Sequence, residues 1–321
     1  MTLFDLPLEQ LRTYRNQRPA PTGLEEFWDR TLDEARSAGG EVECLPASSG
    51  LMTVDAYDVT FPGFAGEPVK AWWLLPRGVP GQRPVVIEML GYGGGRGLVH
   101  ERLHWVSHGF AQLVMDTRGQ GSTWNAGATA DPHGSGPAAP GMLTRGVDHP
   151  DHLYFRRLAT DAVRAVDAVR HLPGADPARI ATVGHSQGGA LALAAAALHP
   201  LVAATAARAP FLCGIARAAS LTDLPPYGEL SGYLAVHRGT AEQVLAVLEH
   251  IDVSHLAPRI ACPAWVSVGL MDATCPPSGI FGAINVMPTA PELRVWPWNG
   301  HEAGGADDDA HLAAWLTDLL T

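Results

Sequence analysis

The chain carries little charge and few cysteines for its size. Lys, Arg, Asp and Glu make up 17% of its 321 residues, and acidic side chains outnumber basic ones 33 to 22. A net charge of −11 offers no basic field to a nucleic-acid backbone or an anionic membrane surface, so neither is expected as a partner. The four cysteines, Cys44, Cys213, Cys262 and Cys275, are far apart and form no C-x-x-C pair. That spacing argues against a disulfide framework or a zinc site and fits free thiols in a reducing compartment. No apolar run approaches membrane-spanning length, and no early basic stretch leads into an apolar one. A soluble cytoplasmic protein is therefore expected. Hydrophobic residues make up 46%, enough to bury the core of one large domain.

Residues 1–40 are polar with a helical pattern. Thr22 or Gly23 can cap a helix that carries Leu24, Phe27, Trp28, Thr31 and Leu32 on one face. Two β-like runs follow, Thr53–Phe61 and Val69–Leu75, and alternation in the first predicts an antiparallel hairpin at a sheet edge. From residue 84 the texture changes. Short continuous apolar runs at Pro84–Leu90, Phe110–Asp116, Arg179–Gly184, Val202–Ala209, Pro263–Leu270 and Glu292–Trp296 alternate with helical stretches. One of these, Tyr154–Leu172, places Leu158, Ala162, Val166 and Val169 on one side. Strands buried on both faces with helices between them predict an α/β fold with a mostly parallel central sheet. Two segments break the rhythm: the Gly-, Pro- and Ala-rich stretch 119–150, and an insertion at 213–260, partly helical around Thr240–His250. Neither a repeat nor a linker divides the chain, so a single domain spanning 1–321 is expected.

Residues 184–188 read Gly-His-Ser-Gln-Gly. A turn and a short β-branched run precede them, and an alanine-rich helix follows to Leu198. This strand–turn–helix context makes Ser186 the candidate nucleophile, with glycines on both sides where side chains would clash in so tight a turn. A serine hydroxyl needs a base, and the base needs an orienting acid. On parallel sheets that carry such an elbow, the acid follows the serine and the histidine follows the acid. Of 14 histidines, only His301 and His311 lie late enough. His311 falls in the amphipathic helix Asp307–Leu320, whereas His301 sits in a loop after a strand, in Trp-Asn-Gly-His-Glu. Among the intervening acids, Asp272 alone follows directly on a buried-type strand, with Asp252 in reserve.

The reaction also needs donors for an oxyanion. The N–H of Gln187, at the start of a helix, is one candidate, and that of Tyr92 in Gly91-Tyr-Gly-Gly-Gly95 is the second. The glycine run lacks the residues of a nucleotide cradle, and its missing side chains leave room for an open acyl groove. Arg118-Gly119-Gln120 follows another strand; Arg118 can bind a carboxylate substrate or brace backbone carbonyls beneath the elbow, and the structural role is the favoured reading. Trp124, in the long loop, is a candidate to stack on a sugar or an aromatic leaving group. No His, Asp and Cys cluster has metal-ligand spacing, and neither a metal nor a cofactor is expected.

With these residues placed, the chain resembles the acetyl xylan esterase / cephalosporin C deacetylase group, carbohydrate esterase family seven. Arg118-Gly-Gln120, Gly184-His-Ser-Gln-Gly188 and His301-Glu302 carry the likeness. So do Phe4-Asp-Leu-Pro-Leu8, Leu143-Thr-Arg-Gly146, Ile251-Asp-Val253 and Gly269-Leu-Met-Asp-Ala-Thr-Cys-Pro-Pro-Ser278, over nearly the whole chain. The resemblance implies an α/β-hydrolase with Ser186, Asp272 and His301 as triad and the backbone of Tyr92 and Gln187 as oxyanion hole. It implies removal of acetyl groups from short xylo-oligosaccharides and cephalosporin C, and a homo-oligomer, most often a hexamer that uses the 213–260 segment. Where the family commonly has His-Gly-Tyr, this chain has Leu90-Gly91-Tyr92, which keeps the main-chain donor but changes the packing around it. A broad-specificity carboxylesterase and a small-peptide serine peptidase are the rival enzymes, and a non-catalytic binding module is a third reading. The chain shows neither an amine-binding acidic pair nor a propeller domain, and it keeps all three triad residues.

Overall fold

The apolar runs of the sequence become the strands of one nine-stranded sheet in the computed structural model, which describes residues 3–321. Residues 1 and 2 of the expected N-terminal extension lie outside it. The strands are β1 (Glu43–Ala47), β2 (Val54–Pro62), β3 (Pro68–Pro76), β4 (Arg83–Met89), β5 (Ala111–Met115), β6 (Ala175–His185), β7 (Val202–Arg208), β8 (Ala264–Gly269) and β9 (Glu292–Trp296). They lie in the order β1-β2-β3-β5-β4-β6-β7-β8-β9. The pairings β1/β2, β2/β3 and β3/β5 are antiparallel, and every later pairing is parallel.

Successive residues of the central strands enter opposite layers, as the period of two requires. Val85 and Ile87 of β4 and Val266 and Val268 of β8 pack in the larger core, while Val86 and Trp265 face the smaller one. Helices Leu24–Ser37, Tyr154–Val169, Gln187–Leu198 and Pro277–Ile284 cover the first face. The terminal helix Ala306–Leu320 closes the second with Leu312, Ala313, Leu316 and Leu320. Helix Gln187–Leu198 is buried along its whole length, which its alanines permit by letting β6, β7 and Tyr154–Val169 approach closely.

Four details differ from the sequence reading. The β2–β3 hairpin is antiparallel as expected, but β1 lies outside it and forms the sheet edge. β1 carries Pro46 and is mostly exposed, so it has no alternating burial to reveal it. β6 starts at Ala175, because Ala175 pairs with Arg83 before the ladder skips to Ile180 opposite Val85. The helix expected to reach Leu172 ends at Val169. The insertion is more helical than expected and includes Ile215–Ala219, Tyr227–Val236 and Ala241–Leu248.

The chain leaves β4 toward β5 on one side, while β6 occupies the other. That reversal opens a crevice at the carboxyl ends of β4 and β6, where parallel sheets place their ligands. Leu90–Gly95, Ser186, Asp272 and His301 all follow the carboxyl ends of their strands, β4, β6, β8 and β9.

Candidate active site

Ser186 has φ +57 and ψ −119, a backbone conformation that side chains rarely adopt and that costs on the order of 1–3 kcal/mol. Its surroundings fix it there. The Ser186 N–H donates to the Arg208 carbonyl at 2.8 Å, and its own carbonyl accepts from Phe211 N–H and Ala190 N–H at 3.0 Å each. The flanking glycines are required by contact. A Cβ on Gly184 would lie 2.2 Å from the Gly188 carbonyl carbon, and one on Gly188 would lie 2.0 Å from the Met89 oxygen.

His301 Nδ1 and Asp272 Oδ2 are 2.8 Å apart. Asp272 is fully buried, and its other oxygen accepts from Thr274 N–H at 2.8 Å and Cys275 N–H at 2.9 Å. The two loops that carry the pair are zipped together by Leu270 N–H to Trp296 O (3.0 Å) and Met271 N–H to Asn299 O (2.9 Å). Buried Asp308 on the terminal helix anchors the same loop by accepting from Trp296 Nε1 (2.9 Å) and Gly304 N–H (2.8 Å). Ser186 follows β6 in the same run of parallel strands whose β8 and β9 lead into this pair, and the buried Cys275 sulfur lies within 4.8 Å of donor atoms of both Asp272 and His301. Asp252, the reserve acid, is satisfied inside the insertion by Gly214 N–H, Ile215 N–H and Ser254. His311 is exposed on the terminal helix.

Asp272, Cys275 and His301 together form a donor set that linear spacing did not reveal. Its chemistry suits a triad better than a cation. Both Asp272 oxygens are already engaged, and burial pushes the Cys275 thiol well above its usual value, with nearby Asp272 adding to that effect. A cation would have to displace these protons and bonds.

The loop after β4 is tied to the start of helix Gln187–Leu198 by two amides. Gln187 Nε2 donates to the Leu90 carbonyl at 3.1 Å. Gln120 accepts from Gly93 N–H at 2.6 Å and donates to Gln187 Oε1 and Tyr154 Oη at 2.8 Å each. Among the described residues, the backbone N–H groups of Tyr92 and Gln187 donate to no protein acceptor. The change to Leu90 keeps the carbonyl in use while the side chain is buried with Val99, Val106 and Val114.

Arg118 is fully buried, but it braces carboxylates, not backbone carbonyls. Its guanidinium grips both oxygens of Asp161, with Nη2–Oδ1 at 2.7 Å, and reaches Glu67 at 2.7 Å. Burial opposes its charge, and the Asp161 and Glu67 carboxylates outweigh that and raise its pKa. The carbonyl involved is its own, which accepts from Tyr154 Oη at 2.6 Å. Gly119 supplies the left-handed turn at φ +64.

The glycine run is not an open groove. A Cβ on Gly94 would lie 2.0 Å from the Trp124 ring, and one on Gly95 would lie 2.3 Å from Gly127 Cα. The long loop therefore fills the space that the missing side chains leave. Trp124 is half-exposed, and its Nε1 donates to the Tyr92 carbonyl at 2.9 Å.

His185 is the residue that sequence reasoning missed. Its Nε2 lies 2.7 Å from the His301 carbonyl, and the two rings are 4.7 Å apart. Burial, then the neighbouring His301, pushes its pKa down to about 4. It is neutral at pH 7 and donates from Nε2, bracing the loop that presents His301.

With this geometry in view, comparisons with known proteins identify the family. The sequence profile of the family described as acetyl xylan esterase (AXE1) matches residues 1–319. The chain belongs to the acetyl xylan esterase family. It is 32% identical to an acetyl xylan esterase from Paenibacillus sp. R4, with a TM-score of 0.91, covering 98% of this chain and 100% of that one. It is 33% identical to acetyl xylan esterase 1 from Thermoanaerobacterium sp. JW/SL YS485, also at 0.91, covering 99% and 100%. The curated acetyl esterase Axe7A of Xylanibacter ruminicola is 28% identical over 88% of this chain, which spans 63% of that protein's length. The nine-stranded sheet is thus the α/β-hydrolase core of the acetyl xylan esterase family, and no helix among the described residues is long and apolar enough to cross a membrane.

Proposed function

We propose that the chain is a serine esterase that removes acetyl groups from acetylated xylo-oligosaccharides and related small acetyl esters such as cephalosporin C. The observation that carries this reading is the His301–Asp272 pair at 2.8 Å, set beside a serine held at φ +57 on an elbow. With Nδ1–H donating to Asp272, His301 presents the lone pair of Nε2 to Ser186. Ser186 Oγ attacks the ester carbonyl carbon as its proton passes to His301. Asp272 holds the tautomer and stabilises the imidazolium. The N–H groups of Tyr92 and Gln187 receive the negative oxygen. The tetrahedral adduct collapses, the carbon–oxygen bond to the sugar breaks, and His301 protonates the leaving hydroxyl. Water, deprotonated by His301, then attacks acetyl-Ser186, and acetate leaves.

Trp124 supports a carbohydrate leaving group. Its Nε1 bond to the Tyr92 carbonyl fixes the indole over Gly94 and leaves about half of it exposed. A pinned aromatic face pays little ordering entropy when a sugar stacks on it. The loop packed over Gly93–Gly95 favours a small acyl site over the broad carboxylesterase alternative. Four free cysteines are compatible with a cytoplasmic protein, and the resemblance favours a homo-oligomer.

Turnover on acetylated xylo-oligosaccharides, cephalosporin C and p-nitrophenyl acetate, butyrate and octanoate tests the reading. Acetyl esters are expected to be preferred, with losses of about 10- to 200-fold for each methylene that the site rejects. A maximum at octanoate would reject the deacetylase reading.

A further inference from the structure

Tyr92 is held from the far side of the active site by a residue of the insertion. Glu229 lies on helix Tyr227–Val236, and both its oxygens are 2.8 Å from Tyr92 Oη. The same carboxylate accepts from Met142 N–H and Leu143 N–H at 3.1 Å each, and Met142 N–H also donates to the phenol oxygen. Burial, then the Glu229 charge, raises the Tyr92 phenol, which keeps its proton and donates it to the carboxylate. The approach depends on Gly141 at φ +121, where a Cβ would lie 2.1 Å from the carboxyl carbon. The helix grips the elbow a second time. Tyr227 packs on Phe211 at 4.8 Å between ring centres, and the Phe211 N–H donates to the Ser186 carbonyl at 3.0 Å.

Tyr92 is therefore fixed at two points, its phenol by Glu229 and its carbonyl by Trp124 Nε1. Its backbone N–H lies between them. The peptide plane that carries this N–H is itself tied down where Gly91 O accepts from Gly94 N–H at 3.2 Å, and fixing the phenol and the following peptide plane restricts rotation about Tyr92 Cα; that preorganisation is what a transition-state donor requires. We propose that Glu229 is a positioning residue for the deacetylation step. Its carboxylate clamps Tyr92 so that the backbone N–H faces the oxyanion, and so links the 213–260 insertion to catalysis. This rests on the reading of Tyr92 N–H as an oxyanion donor. Glu229 also borders a cavity of about 630 Å³ lined by Pro137–Pro140, Tyr233 and Val236.

The test compares Glu229→Gln, Tyr92→Phe and the double variant on p-nitrophenyl acetate, with Ser186→Ala as control. An amide at 229 cannot accept from the phenol and from two N–H groups with both of its ends. Losing an oxyanion donor outright costs about 10²- to 10³-fold in kcat, so a misaimed one is expected to cost about 10- to 100-fold. KM should move by less than about twofold, because the contact exists only in the transition state. Both single variants should show this split, and the double variant should be no slower than the slower single by more than about twofold, because both act through one contact. Should Glu229→Gln not fold, Tyr92→Phe carries the test, since it removes only the oxygen that Glu229 holds. Wild-type kcat in Tyr92→Phe or in folded Glu229→Gln, a raised KM with kcat unchanged, or additive losses in the double variant would overturn the proposal. Turnover surviving in Ser186→Ala would instead overturn the esterase reading itself.

Discussion

Replacing Asp272 with Asn should disable catalysis while leaving the fold intact, and the geometry says why. One carboxylate oxygen of Asp272 accepts from two backbone N–H groups at 2.8 and 2.9 Å, and the other faces His301 Nδ1 at 2.8 Å. An asparagine must put its oxygen toward the two fixed donors, because turning its NH₂ there would set donors against donors in a fully buried site. Its NH₂ then faces His301 Nδ1, which must become an acceptor. The imidazole proton moves to Nε2, the nitrogen that has to take the Ser186 proton. The expected loss is about 10⁴-fold in kcat at pH 7, or about 5.4 kcal/mol at 1.36 kcal/mol per decade. The hydrogen-bond count at residue 272 barely changes, so thermal stability should fall by no more than about 1 kcal/mol. Steady-state turnover of p-nitrophenyl acetate with a thermal melt on the same preparation checks both numbers. A folded Asp272→Asn enzyme within about tenfold of wild type would refute the tautomer argument.

The remaining predictions concern other parts of the molecule. His185 has a folded pKa of about 4 against about 6.5 unfolded, so the unfolded chain binds the extra proton and stability is lost as pH falls from about 6.5 toward 4. The gap corresponds to about 3 kcal/mol, and His185→Gln should flatten the denaturant-midpoint profile across that range; an unchanged acid limb would contradict it. Arg118→Met leaves the buried Asp161 carboxylate without its partner and should cost about 3–5 kcal/mol in urea unfolding, with a loss below about 1 kcal/mol counting against the brace. Light scattering on purified protein should give a homo-oligomer, of six chains by resemblance to the family, and a clean monomer mass would refute that expectation.

The sequence reveals this site where chemistry is local and hides it where contacts are long-range. The elbow around Ser186 is a contiguous motif, and chain order with strand position selects Asp272 and His301 over Asp252 and His311. The parallel strands stand out because both of their faces are buried, which makes β4, β5 and β8 continuous apolar runs. β1 escapes notice because an exposed edge strand with a proline has no burial period to show. Glu229 and Tyr92 are 137 positions apart, and no local pattern marks either as the other's partner. His185 is visible only as the variable residue of the Gly-x-Ser motif, and its bond to a carbonyl 116 positions away depends on the β6–β9 arrangement. The glycine run misleads for a related reason. Missing side chains suggest empty space until the loop around Gly127 and Trp124 is folded over them.

The central claim is that Ser186 carries the acetyl group during turnover. Acid-quenching the enzyme during p-nitrophenyl acetate hydrolysis and mapping the acetylated peptide by mass spectrometry tests it most directly. One acetyl group per chain is expected on Ser186, absent in Ser186→Ala, which should lose about 10⁴-fold or more in kcat. Acetyl on another residue, or full turnover by a pure Ser186→Ala preparation, would contradict it.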